Sequence, residues 1–79
     1  IDLVVIINNR RFGIECKRAD APKITPSMRT ALSDLSLEHI AVVYPGPQRY
    51  PLSEKITAVP VQSLAEGRSG LFSQLEASE

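Results

Sequence analysis

The feature that most constrains this chain is a pair of extended runs that meet at Asn8-Asn9. Asp2 to Ile7 carries Leu3, Val4, Val5, Ile6 and Ile7, all β-formers with no breaker, and Arg10 to Lys17 returns as a second run. Asparagine tolerates positive φ better than other non-glycine residues, and a tight hairpin turn needs that conformation. A two-residue turn fixes the register, so Ile7 faces Arg10, Leu3 faces Ile14 and Asp2 faces Glu15. Side chains alternate along a strand. Leu3, Val5, Ile7, Phe12, Ile14 and Cys16 therefore share an apolar face. Asp2, Val4, Ile6, Arg11, Gly13, Glu15 and Lys17 share the other.

The rest of the chain supplies further elements. Arg18 to Lys23 is polar and contains Pro22, which reads as a loop. Thr25 suits an N-cap and Pro26 a first helical position. Met28, Ala31, Leu32 and Leu35 then follow at helical spacing, predicting a helix over 26–36. His39 to Tyr44 reads as a buried strand closed by Pro45-Gly46-Pro47, and Ile56 to Val59 as a last short strand closed by Pro60. Val61 to Glu66 reads as a short helix, and Leu71, Phe72 and Leu75 as another apolar helical face. The expected order is β-β-α-β-β-α, with four strands in a mixed sheet flanked by helices. A right-handed crossover through the first helix sets the second and third strands parallel.

With 79 residues the chain is expected to form a single domain, 1–79. It opens at Ile1 directly into an apolar run, which suggests a C-terminal fragment of a longer chain. No run of about 18 apolar residues predicts a membrane-crossing helix, and no signal peptide is legible. Cys16 is the only cysteine, so no internal disulfide forms, in keeping with an expected cytoplasmic location. One cysteine and one histidine, His39, exclude a structural zinc site built within the chain. The formal net charge is zero, which weighs against strong sequence-independent DNA binding. Arg10, Arg11, Lys17, Arg18 and Lys23 do crowd one stretch, where a local basic face is an alternative to plain solvated surface.

The chemistry-bearing residues lie at the open end of the predicted hairpin. Two carboxylates directly opposite would have Cβ atoms about 4.5–5.5 Å apart. At an effective dielectric near 20 their repulsion is on the order of 3 kcal/mol. A divalent cation such as Mg²⁺ would offset it, since it binds through one or two carboxylates and keeps its waters. Lys17 points to the same side as Glu15. Such a group suits phosphodiester hydrolysis: the metal polarises the phosphate and activates a water, and the ammonium steadies developing charge. The competing reading makes Asp2 a solvated terminal residue and Glu15 with Lys17 an exposed polar stripe. Among other candidates, Cys16 reads as a small core residue and His39 as a surface or capping residue. Tyr44 and Tyr50 read as packing at a loop base, and Arg29 as solvated helix surface.

The order Asp2, hairpin, Glu15-Cys16-Lys17, helix, buried strand resembles the PD-(D/E)XK (restriction-endonuclease-like) superfamily, from the second strand of its core onward. The stretches IDLVVIINNRRFGIECKRADAPKIT and LSLEHIAVVYPGPQRYPLSEKITAVP look like the C-terminal domain of unknown function found in prokaryotic AAA+ family ATPases. Asn8-Asn9 replaces the glycine-containing turn expected there. The resemblance implies a nuclease-like module with Asp2, Glu15 and Lys17 as catalytic residues. It also implies a magnesium held by Asp2, Glu15 and the Cys16 carbonyl. ATP would bind only in a separate ATPase module, for no G-x-x-x-x-G-K-[ST] occurs here. DNA and the chain's own ATPase module are the implied partners. The alternative is a non-catalytic module that binds nucleic acid or protein. Without a preceding strand, Asp2–Ile7 would form a sheet edge, to be covered by a second copy or by the segment around Leu71–Leu75.

Overall fold

The computed structural model describes residues 1–72. Strands β1 (Leu3–Ile7) and β2 (Arg10–Cys16) form the antiparallel hairpin. Its turn residues Asn8 and Asn9 adopt φ of 54° and 64°, the pair of left-handed conformations a two-residue turn demands. The register runs from Ile7↔Arg10 to Leu3↔Ile14, as the sequence predicts.

Helix α1 (Pro26–Asp34) crosses over to β3 (His39–Tyr44), which lies parallel to β2. Thr25 caps the helix, its hydroxyl accepting from the Met28 N–H at 3.3 Å, and Pro26 opens the first turn. The helix stops two residues short of expectation. Leu35 is its C-cap and is exposed, and Leu37 enters the core in its place.

The sheet has five strands, not four, in the order β1-β2-β3-β5-β4. The strand the sequence hid is β4 (Tyr50–Ser53), antiparallel to β5 (Ile56–Pro60), which in turn runs parallel to β3. β4 has four residues, contains Pro51 and is irregular between Pro51 and Ser53. Proline can sit in a strand only where it owes no ladder hydrogen bond, and β4 is an edge. A 3₁₀ turn, Val61–Glu66, and the short helix α2 (Arg68–Leu71) complete the described chain, so the order is β-β-α-β-β-β followed by two helical turns. Leu75 lies outside the described residues.

Both faces of the sheet are covered. On one, Met28, Leu37, Ile40, Val42 and Ile56 form a buried cluster under α1. On the other, Phe12, Ala41, Val59 and Phe72 form a second cluster, with Val5, Ile7 and Ile14 at its margin. Phe72 lies against Phe12 with ring centroids 4.6 Å apart. Among the described residues, Leu71 and Phe72 pack on this sheet face, and Leu3 and Ile6 of β1 are exposed. β3 sits between the two clusters and is buried along its whole length.

Candidate functional site

The functional candidates collect where β2 ends. The ladder between β1 and β2 stops at Leu3↔Ile14, so Asp2 and Glu15 do not form the facing pair that regular alternation predicts. Asp2 instead donates its backbone N–H to the Ile14 carbonyl at 3.1 Å. Its carboxylate turns inward, Oδ2 accepting the Cys16 N–H at 2.8 Å. A side-chain oxygen thereby stands in for the strand carbonyl missing beyond the end of β1, and the Asp2 carboxylate comes to the backbone of the residue after Glu15.

Glu15 is paired with Val42 of β3 and lies on the α1 face of the sheet, with its side chain 15% exposed. Its two oxygens have separate partners. Oε2 is 3.3 Å from Lys17 Nζ, and Oε1 is 3.2 Å from the Ile1 ammonium. In a chain that continued before Ile1, that second partner would be an uncharged peptide N–H. Glu15 and Lys17 are thus in direct ion-pair contact, and Asp2 reaches the backbone N–H of Cys16, the residue between them.

The donor set fits magnesium in kind, being hard carboxylate oxygen plus a backbone carbonyl. It is sparse in number. Among the described residues no group of three or more His, Cys, Asp or Glu side chains is placed to hold a metal ion. Water or substrate would fill the remaining positions, as Mg²⁺ commonly allows.

Cys16 departs from expectation. It is paired with Val43 on the face opposite Glu15, yet its side chain is exposed and does not join the core. It borders a cavity of about 290 Å³ at the carboxyl ends of the parallel strands β2 and β3. Ligands of open α/β sheets commonly bind outside such strand ends. The Val61–Glu66 turn supplies Val61 and Leu64 as one wall, and Lys17 and Arg18 also line the space. Sequence reasoning missed this cavity. Its one legible signal was the apolar pair Val61 and Leu64, three residues apart, which face together on a 3₁₀ turn.

The basic stretch does not make one face. Arg10 and Arg11 lie at the turn end of β2 and Lys17 and Arg18 beyond the other end, roughly 20 Å away at a strand's rise. Arg10 pairs with Glu38 at 3.6 Å and lies over the Phe12 ring, while Arg11 Nη1 donates to the Leu35 carbonyl at 3.2 Å. These two arginines hold the hairpin to the connection between α1 and β3.

His39 is not a surface residue. It is buried at the start of β3, with Nε2 2.6 Å from Thr57 Oγ1, and burial lowers its pKa. Tyr44 packs edge-on against Tyr50 at 5.9 Å, and its hydroxyl bonds to Gln48 across the Pro45-Gly46-Pro47 loop. Arg29 is exposed on α1.

A family model described as "Domain of unknown function (DUF4143)" matches residues 1–64. The chain belongs to the DUF4143 family. The match takes in the hairpin, α1, all five strands and every residue lining the cavity. Two mycobacterial relatives, "Uncharacterized protein Mb2031c" of Mycobacterium bovis and "Uncharacterized protein Rv2008c" of Mycobacterium tuberculosis, are each 47% identical over 64 residues. That stretch is 81% of this chain and only 14% of either relative. No solved structure matches. Among the described residues, no helix of this DUF4143 chain is long and apolar enough to cross a membrane.

Proposed function

We propose that this DUF4143 chain is the nuclease-like module of a larger AAA+ ATPase, and that its Asp2–Glu15–Lys17 corner binds a divalent cation and hydrolyses phosphodiesters. One observation carries the reading. Asp2 reaches the Cys16 N–H while Lys17 Nζ lies 3.3 Å from Glu15, so two carboxylates and an ammonium share the end of one strand. Asp2, Glu15 and the Cys16 carbonyl would hold the ion. Bound there, the metal would polarise a phosphate and lower the pKa of a water. Lys17 would steady the charge that develops on the phosphate oxygens, and Glu15 would keep that ammonium in place. The small share of the relatives' length that the chain matches accords with a module working beside others.

The test is hydrolysis of labelled single- and double-stranded DNA with Mg²⁺ or Mn²⁺, on wild type, Glu15→Gln and Lys17→Ala. Cleavage by wild type that both substitutions abolish supports the reading. Equal cleavage by all three proteins assigns the activity elsewhere.

A second reading makes the chain a non-catalytic interaction module serving an attached ATPase. It is favoured by the local engagement of both carboxylates: Asp2 accepts a backbone N–H, and Glu15 is paired with the Lys17 ammonium. Repulsion between them then needs no metal to offset it. The exposed β1 edge would be a place for a second copy or another strand to pair. Absence of both metal binding and cleavage in wild type selects this reading.

A further inference from the structure

The cavity at the strand ends opens beside Cys16 and Val43, on the sheet face opposite Glu15, and its apolar wall takes no part in the carboxylate chemistry, although Lys17 borders both. Its wall is apolar, built from Val43, Pro45, Val61 and Leu64 with the Cys16 side chain beside them. Val61 and Leu64, which form one wall, are both about half exposed. Tyr44 also lines the space, but the residue is 3% exposed, its ring is packed against Tyr50, and its hydroxyl is engaged with Gln48. The cavity therefore offers no open aromatic face on which a base could stack. It presents little hydrogen-bonding capacity to read a base edge either. It selects by shape and apolarity.

Charge selects at its border. Arg18 is exposed and forms no ion pair among the described residues, whereas the Lys17 ammonium is held by Glu15. The volume stands at the lower end of small-molecule pockets, about 300 Å³. That suits a few aliphatic side chains inserted from a chain that stays outside. We propose that this cavity docks a short acidic segment of a partner protein, which seats one or two aliphatic side chains against Val43, Val61 and Leu64 and sets a carboxylate against Arg18. The partner contact lies beyond the metal corner, and either reading of that corner leaves it intact.

The probes are two synthetic peptides, acetyl-Ala-Glu-Leu-Leu-Glu-Ala-amide and its twin with Lys in place of each Glu, titrated into the ¹⁵N-labelled chain. The acidic peptide is expected to move the amide resonances of Val43, Tyr44 and Leu64 and to bind about tenfold more tightly than the basic twin, a preference that salt weakens. Arg18→Glu should reverse the preference between the two peptides. That reversal is read within one folded variant and does not depend on its stability. Leu64→Asp should abolish binding of both. Equal affinity for the twins, no binding of either, or an unchanged preference in Arg18→Glu would overturn the proposal. So would a single-stranded oligonucleotide that moves the same resonances when neither peptide does, which would assign the cavity to nucleic acid.

Discussion

The two faces of the sheet are closed by different means, and β2 contributes to both. On the α1 face a helix covers the core, and the strand ends in Glu15, a carboxylate held by Lys17. On the opposite face Phe72 covers Phe12, but toward Cys16 and Val43 the cover gives way to an open cavity. Strand alternation produces the difference. Neighbouring side chains of one strand serve separate surfaces, so the Glu15 carboxylate and the Cys16 thiol, adjacent in sequence, face different sites. Substitutions can therefore separate the faces.

The largest effect should come from breaking the cover itself. Phe72 is fully buried against Phe12. Phe72→Ala should cost about 3–5 kcal/mol, the usual range for a buried aromatic truncated to alanine. Chemical denaturation checks this, and a loss under about 1 kcal/mol would mean that Phe72 does not close that face.

Glu15→Gln sharpens the comparison from the other side. Cleavage of DNA with Mg²⁺ should fall about hundredfold or more, while the denaturation midpoint should change little, because Glu15 belongs to neither buried cluster. A large stability loss with unchanged cleavage would make Glu15 a structural residue of the α1 face.

A smaller effect concerns His39 on the Phe72 face. Burial lowers its pKa below that of the unfolded chain. The unfolded state therefore binds a proton at higher pH than the folded state, and the folded state is favoured above the unfolded pKa of about 6.5. Stability should fall as pH drops from 7 toward 5, by at most about 1.4 kcal/mol per pH unit from this one group. His39→Gln should flatten that part of the profile in urea denaturation. An unchanged slope would show that other groups set it.

The smallest effect belongs to the turn end of β2. Arg10→Ala removes a partly exposed ion pair with Glu38 and should cost about 1 kcal/mol or less. It should leave metal binding and cleavage untouched, since Arg10 lies at the end of the strand remote from Glu15. A drop in cleavage comparable to that in Glu15→Gln would mean that the two ends of β2 act together.

Much of the fold was legible because it rests on local rules. Asn8-Asn9 fixed the hairpin register, Thr25-Pro26 marked the start of α1, and the unbroken apolar run His39–Tyr44 reads as the buried centre of a parallel pair. β4 was not legible, because a four-residue edge strand with proline and an irregular register carries neither alternation nor breaker-free length. At the candidate site the sequence placed Glu15 beside Lys17 but misjudged the geometry of Asp2. Alternation extrapolated past Leu3 sets Asp2 opposite Glu15, whereas Asp2 leaves the ladder to take the Cys16 N–H. The clustered basic residues misled for a related reason, since a seven-residue strand carries its two ends far apart. The burial of His39 goes with its bond to Thr57, 18 residues away, which has no local signature.

The central claim is that the Asp2–Glu15–Lys17 corner takes a divalent cation. The most direct measurement is a Mg²⁺ titration of the ¹⁵N-labelled chain, read at the amides of Asp2, Glu15, Cys16 and Lys17 and repeated on Glu15→Gln. The account predicts saturable shifts confined to those residues and lost in the variant. Resonances that stay still at millimolar Mg²⁺, or shifts that persist unchanged in Glu15→Gln, would contradict it.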